Sequence, residues 1–211
     1  MSSSNRRIFF ANCVFQVGEN VYEPAEDSFL FAENLRVKEK EKVIDIGTGC
    51  GILGILAAAK ADEVLAVDIN PYAVACAKEN AKLNHVSDKI FFAQGDLFGP
   101  IRVEKKFDVI LFNAPYLPSE EVGENSWLVR AWAGGISGRD VINGFIQEAP
   151  KYLKHNGEIL LMQSTLSNVE ETFRRFKKRG LTANVVAKRD LPFFETLVLL
   201  KAKLANGEYL G

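Results

Sequence analysis

With 211 residues, 47% hydrophobic content and a formal net charge of -1, the chain is long enough for one domain with a real core and has no overall attraction for polyanions. Nucleic acid is therefore not the expected partner. No apolar run approaches the roughly 20 residues of a membrane span. The start, with Arg6 and Arg7, lacks the apolar segment and cleavage signal of a secretory leader. Cys13, Cys50 and Cys76 form no C-x-x-C pair. Neither a disulfide framework nor a metal site is expected, and a reducing, cytoplasmic compartment is the default.

In chain order, the spacing of apolar residues predicts alternating strands and helices from residue 42 onward. Lys42–Ile46 reads as a buried strand, 51–60 as an alanine-rich helix, and 63–69 as a second strand. Pro71–Leu83 reads as a helix with Asn70 as its N-cap and proline at its first position. Strands follow at Ile90–Gln94 and 107–112, the latter apolar throughout, as suits burial on both faces. A helix over 141–153 is expected to stop near Asn156-Gly157. A strand over 158–163, a helix over 167–179 and two strands near 183–187 and 195–200 complete the chain. This rhythm predicts an α/β, Rossmann-like fold, with a mainly parallel seven-stranded sheet and a C-terminal antiparallel hairpin. Residues 1–22 precede the rhythm and are expected to pack on the sheet edge or lid the site. The long connection 117–140, with Trp127 and Trp132, is expected to be an ordered functional loop.

The loop Asp45-Ile46-Gly47-Thr48-Gly49-Cys50-Gly51 joins the first strand to the first helix. Its glycines permit a tight turn and close approach of a ligand. Asp68, 21 residues after Gly47, ends the second strand, where a carboxylate accepts from ribose hydroxyls. Gly49, Gly51 and Gly54 also satisfy the G-x-G-x-x-G dinucleotide fingerprint, so a nicotinamide enzyme stands as the rival at this loop. Two features favour S-adenosylmethionine instead. Asp45 suits a cationic ligand and would repel a pyrophosphate. Asp96, followed by Leu97 after the third strand, is placed to accept from an adenine amino group. The plainer alternative is that Asp45 and Asp96 only cap loops. In the methyltransferase reading, residues 1–41 are an N-terminal extension and residues 42–211 form the methyltransferase domain.

The fourth strand runs into Asn113-Ala114-Pro115-Tyr116, at the strand end where ligands bind in doubly wound sheets. A planar NH2 group needs acceptors that orient it and stabilise the positive charge growing on nitrogen. Asn113 offers a side-chain carbonyl and residue 114 a backbone carbonyl. Pro115 restrains residue 114 to an extended conformation, and Tyr116 offers a flat face. Positioning and electrostatics carry such a step without a strong base. The motif alone is also an Asn-x-Pro turn. It does not choose among a glutamine amide, an exocyclic amine of DNA or RNA such as adenine N6, and a protein lysine.

On these residues the chain resembles the HemK family, the release-factor glutamine methyltransferases, in its archaeal and eukaryotic branch. Val21-Tyr22-Glu23-Pro24-Ala25-Glu26-Asp27-Ser28, Ala131-Trp132-Ala133-Gly134-Gly135 and Gly138-Arg139 carry the branch-level likeness. The family motif is Asn-Pro-Pro-Tyr, and Ala114 departs from it. The resemblance implies N5-methylation, from S-adenosylmethionine, of the glutamine in the Gly-Gly-Gln loop of a class I peptide chain release factor. It implies cofactor contacts from Ser28, Asp45, Gly47, Gly49, Asp68, Asp96 and Leu97, with Asn113, Ala114, Pro115 and Tyr116 at the substrate amide. It also implies a small zinc-binding activator protein as a partner, and no room for the helical N-terminal domain of the bacterial branch.

Other features have plainer readings. The basic run Arg174, Arg175, Lys177, Lys178 and Arg179 suits a helix C-terminus. His85 and His155 are isolated, and Cys50 is a small filler. Phe193 and Phe194 either flank the substrate pocket or seal the last turn, with the seal the favoured reading, and Trp132 either lines the pocket or anchors its loop.

Overall fold

A computed structural model of the chain describes residues 6–119 and 126–205. Residues 120–125 of the long connection lie outside the described residues. Two strands open the chain, β1 (Arg6–Phe10) and β2 (Cys13–Val17), paired as an antiparallel hairpin. The main sheet holds β3 (Lys42–Ile46), β4 (Glu63–Asp68), β5 (Ile90–Gln94), β6 (Phe107–Asn113), β7 (Leu153–Ser164), β8 (Leu181–Asp190) and β9 (Thr196–Leu204). Its order is β5-β4-β3-β6-β7-β9-β8. The first five strands run parallel, while β9 pairs antiparallel with both β7 and β8. This is the expected α/β methyltransferase sheet with its C-terminal hairpin.

The helices are α1 (Glu26–Asn34), α2 (Ile52–Ala58), α3 (Pro71–Leu83), α4 (Trp127–Trp132), α5 (Asp140–Glu148) and α6 (Val169–Lys178). Asn70 caps α3 as expected, accepting from the Tyr72 amide. The helix expected over 141–153 is shorter. Pro150 has no amide hydrogen to continue an α-helical ladder, so α5 stops at Glu148 and a 3-10 turn, Ala149–Tyr152, takes over. The Asn156-Gly157 pair is then not a helix stop but part of β7, at a register shift against β6. A Cβ on Gly157 would lie 2.9 Å from the Asp108 carbonyl, so the bulge needs glycine there.

The opening hairpin packs on α3 through two side chains one helical turn apart. Asn84 accepts from the Val14 amide and donates to its carbonyl, and Asn80 does the same with Gln16. The two asparagines thus stand in for a neighbouring strand. Asn80 Nδ2 also donates to the Cys50 carbonyl, tying the hairpin to the β3–α2 loop.

The chain runs outward from β3 to β5, then returns to lay β6 on the other side of β3. Ligand crevices open at such reversals, at the carboxyl ends of the strands. Here Ile46 of β3 lies beside Phe112 of β6, so the glycine loop and Asn113 leave the sheet side by side. An aromatic series fixes that end of β6. The Phe112 ring meets Phe145 of α5 at 4.6 Å between centroids, Phe145 meets Phe98, and Phe98 stacks on Tyr152 at 4.5 Å. Phe112 and Phe145 are fully buried, each worth about 2–3 kcal/mol in burial.

Candidate active site

A cavity of about 420 Å³ opens at this reversal. Ser28, Asp45, Gly47, Gly49, Asp68, Asp96, Leu97, Asn113, Ala114 and Pro115 all line it. The glycine loop carries positive φ at residues 47, 49 and 51, which a side chain would oppose. Asp45 Oδ2 accepts from Thr48 Oγ at 2.7 Å and from the Gly54 amide at 3.0 Å. Asp68 accepts from the amides of Gly49 and Asn70, both at 2.9 Å. Both carboxylates therefore brace the loop while lining the cavity, which joins the capping role to the ligand-facing one. Burial pushes Asp45 up to about 7 against the opposing pull of its Thr48 and Gly54 hydrogen bonds, with Asp68 raising it further. Burial also raises Asp68. Two desolvated carboxylates at one wall favour a ligand that brings positive charge or hydroxyl donors. Burial likewise raises the Cys50 thiol, which stays protonated and packs as a filler.

Asn113 lines the same cavity. Its Nδ2 donates to Asp27 Oδ2 at 3.1 Å and to Ser28 Oγ at 3.2 Å. A carboxylate can only accept, so the amide cannot turn over without setting oxygen against oxygen. The consequence is that Asn113 Oδ1 is buried with no hydrogen-bond partner among the described residues. A buried acceptor left open in this way is costly unless a ligand fills it.

Asp27 organises the surroundings of Asn113 and was not among the expected site residues, although the stretch around it was. It accepts from Tyr22 (3.3 Å), from Tyr116 (3.4 Å) and from the amide and hydroxyl of Ser28. Burial and the Asp27 charge raise both tyrosines, so they remain protonated donors. Tyr116 is not one of the residues lining the cavity. It is buried, and its hydroxyl is turned to Asp27. In sequence, Asp27 sits in a short, unmarked helix start with no side-chain cap, 86 residues from its partner Asn113. No local pattern links the two.

The long connection holds the motif in place. Leu117 donates to the Trp132 carbonyl, Gly134 to the Leu117 carbonyl and Ser119 to the Gly135 carbonyl. A Cβ on Gly134 would lie 2.7 Å from the Pro115 carbonyl, and one on Gly138 would lie 2.3 Å from the Tyr116 carbonyl. These glycines let the loop press onto the motif backbone. Arg139 is buried and anchors the loop's far end, donating to the carbonyls of Ser167 and Asn168 and to Thr172 Oγ1. Trp127 and Arg130 line the cavity from α4, with the guanidinium 5.3 Å above the indole. Trp132 does not line it, and its carbonyl serves the loop lattice.

Three other readings concern features outside the cavity lining. The basic run ends α6 as expected, where Arg174 and Arg175 pair with Glu171. Phe193 and Phe194 do not seal the last turn. Both are fully exposed, because the hairpin closes through its backbone, with the Leu191 amide donating to the Glu195 carbonyl. Among the described residues, no helix is long and apolar enough to cross a membrane.

The model of the ribosomal protein L11 methyltransferase (PrmA) family matches residues 27–115. A Methanocaldococcus jannaschii protein provisionally named a protein N5-glutamine methyltransferase is 46% identical, covering 85% of this chain and 90% of that protein. The release factor glutamine methyltransferase of Aquifex aeolicus is 34% identical over 70% of this chain, which spans only 56% of its length. Among solved structures, the Mtq2–Trm112 complex of E. cuniculi, described as responsible for methylating the eRF1 translation termination factor, matches with a TM-score of 0.65 and 23% identity. That match covers 88% of this chain and 99% of the solved one.

Proposed function

Because the chain belongs to the HemK family of protein glutamine N5-methyltransferases, we propose that it methylates the side-chain amide of the glutamine in the Gly-Gly-Gln loop of a class I peptide chain release factor. Family membership selects a glutamine amide, and the observation that carries its placement is Asn113, whose amide Asp27 orients and whose Oδ1 has no partner among the described residues, in a cavity that Asp45, Asp68 and Asp96 also line. S-adenosylmethionine, when bound, supplies a methyl group on a sulfonium. The residues present fit that group. Asp45 offers negative charge, Asp68 faces hydroxyl donors, and Asp96 with Leu97 fits an adenine. Ser28, Gly47 and Gly49 complete the lining.

The remaining chemistry belongs to this chain. Asn113 Oδ1 accepts one N–H of the substrate amide, and the Ala114 carbonyl is the candidate for the second. Pro115 limits the conformation of residue 114 and so where that carbonyl points. Positive charge that grows on the substrate nitrogen during transfer would meet these acceptors, and the proton would be lost to solvent afterwards. Tyr116 acts through Asp27 rather than as a platform. Trp127 and Arg130 flank the cavity and suit a polypeptide loop.

The E. cuniculi neighbour is a complex with Trm112. An equivalent small zinc-binding activator would suit β5, an edge strand of the main sheet, where Phe91 is exposed. Release factors work in the cytoplasm, and so does this protein.

The test is to incubate the protein, alone and with such an activator, with methyl-labelled S-adenosylmethionine and either a release factor or nucleic acid. Label on the release factor glutamine is expected. Label on nucleic acid alone would overturn the reading. Tight binding of a nicotinamide dinucleotide would restore the fingerprint reading of the glycine loop.

A further inference from the structure

The turn between β8 and β9 is built against the usual rules. Phe193 and Phe194 both have φ of +63°, the condition of a tight hairpin turn that ordinarily selects asparagine and glycine. Both side chains are fully exposed, at 95% and 103%. Folding alone gains nothing from either choice, since bulky residues resist this backbone and their rings bury nothing.

The turn is held firmly at its base. Thr196 donates its amide to Thr165 Oγ1 at 3.0 Å and its hydroxyl to Asp190 at 2.8 Å. Arg189 bridges to Glu26 and Glu33 of α1, the helix that carries Asp27 and Ser28. Its place is set by register. Leu197 of β9 pairs with Ser164 at the carboxyl end of β7, and Met162 of β7 pairs with Asn113. The turn therefore leaves the sheet at the edge where the cavity opens. Glu195, its next residue, is close enough for its charge to act on Tyr22 and Tyr116.

Two further exposed apolar side chains stand on segments bonded to this one. Leu166 (47% exposed) follows Thr165, which holds Thr196. Ile136 (79% exposed) lies in the loop that Arg139 ties to the Ser167 carbonyl.

We propose that Phe193 and Phe194, with Leu166 and Ile136, form a docking rim for the folded domain that presents the target glutamine, contacting its apolar surface beside the loop. This rests on the release-factor reading above. A glutamine side chain fills little of the site, so a protein substrate must be gripped outside the cavity. The turn leaves the sheet at the end where the cavity opens, Ile136 follows Gly135 of the cavity lining, and exposed aromatics are the side chains that anchor interfaces. β5 lies at the other end of the sheet, which separates this surface from the candidate activator edge.

The experiment compares the wild-type protein with a Phe193→Ser/Phe194→Ser variant, activator present, on two substrates. One is an intact release factor and the other a short Gly-Gly-Gln peptide. The variant is expected to raise KM for the intact factor at least tenfold, with kcat, peptide kinetics and cofactor affinity unchanged. An unchanged KM for the intact factor overturns the docking rim. So does an equal loss on the peptide, or a loss of self-association or activator binding as the variant's sole effect. A wild-type protein that binds and methylates neither substrate overturns the release-factor reading, and the assigned occupant with it.

Discussion

Asp27 Oδ2 lies 3.1 Å from Asn113 Nδ2 and fixes the orientation of that amide. If Asn113 Oδ1 receives the substrate N–H, the two residues fail differently. Asn113→Ala should abolish transfer while leaving cofactor affinity nearly intact. Asp27→Asn, isosteric but able to donate, lets the Asn113 amide turn over. It should lower kcat roughly 10²-fold, the scale of losing one positioned hydrogen bond in a transition state, with cofactor affinity changed by less than about threefold. Single-turnover transfer and calorimetric cofactor binding on both variants decide this. Equal loss of binding and transfer in Asn113→Ala would remove it from the substrate wall.

Asp45 makes the ligand-free protein sensitive to pH. Its folded value is raised from 3.8 to about 7. A raised carboxyl favours folding in its protonated form, so that contribution is complete below pH 3.8 and is lost as pH climbs through about 7. The size is on the order of a few kcal/mol. The thermal midpoint of the ligand-free protein should therefore fall as pH rises from about 4 to about 7 and level off above that. Affinity for a cationic cofactor should rise over the same range, because the ligand prefers the ionised form. In Asp45→Asn both slopes should flatten. A midpoint that climbs across this window in the wild type would refute the assignment.

The parts of the molecule that repeat were legible in the sequence. Periodicity gave the strand and helix alternation, and Asn70-Pro71 gave a helix start that the structure keeps. The glycine loop, Asp68 and Asn113 were legible because each is tied to a strand end, and strand ends converge in this fold. What was hidden depends on distance. Asp27 meets Asn113 only through packing across 86 positions. The Asn80 and Asn84 contacts replace a strand with helix side chains, which no strand pattern signals. The early end of α5 was readable from Pro150, but the apolar run through Leu153 outweighed it. Phe193 and Phe194 were misread because apolar residues in a turn suggest burial, and only the folded backbone shows where they point.

Gly138 should tolerate no side chain. An alanine there would place its Cβ 2.3 Å from the Tyr116 carbonyl, at a φ of +68°. The left-handed backbone costs about 1–2 kcal/mol and the overpacking about 1–3 kcal/mol more. Gly138→Ala should lower stability by about 2–5 kcal/mol in denaturant unfolding. Because the displaced atom belongs to the proposed substrate motif, kcat should fall even at temperatures where the variant is fully folded. Full kcat in a destabilised variant would mean that the loop supports the fold but does not shape the motif.

Ala114 is where this chain departs from the proline of its family, and its environment says what that costs. Its amide donates to the Met162 carbonyl at 3.4 Å, a long bond that continues the β6–β7 ladder by one step. Proline would remove that donor, a loss of about 0.5–1.5 kcal/mol at most for so weak a bond. It would also restrict the unfolded chain, a gain of about 0.4–1 kcal/mol. The two nearly cancel, so Ala114→Pro should leave the thermal midpoint within a few degrees. The effect should appear instead in the rate. Two successive prolines fix the carbonyl of residue 114 more tightly than one, and a better-held acceptor is worth most in the transition state. Transfer to the glutamine should be equal to wild type or up to several-fold faster, with substrate KM unchanged. A clear loss of kcat with a normal midpoint would show that the Ala114 amide bond, rather than backbone rigidity, aims this carbonyl.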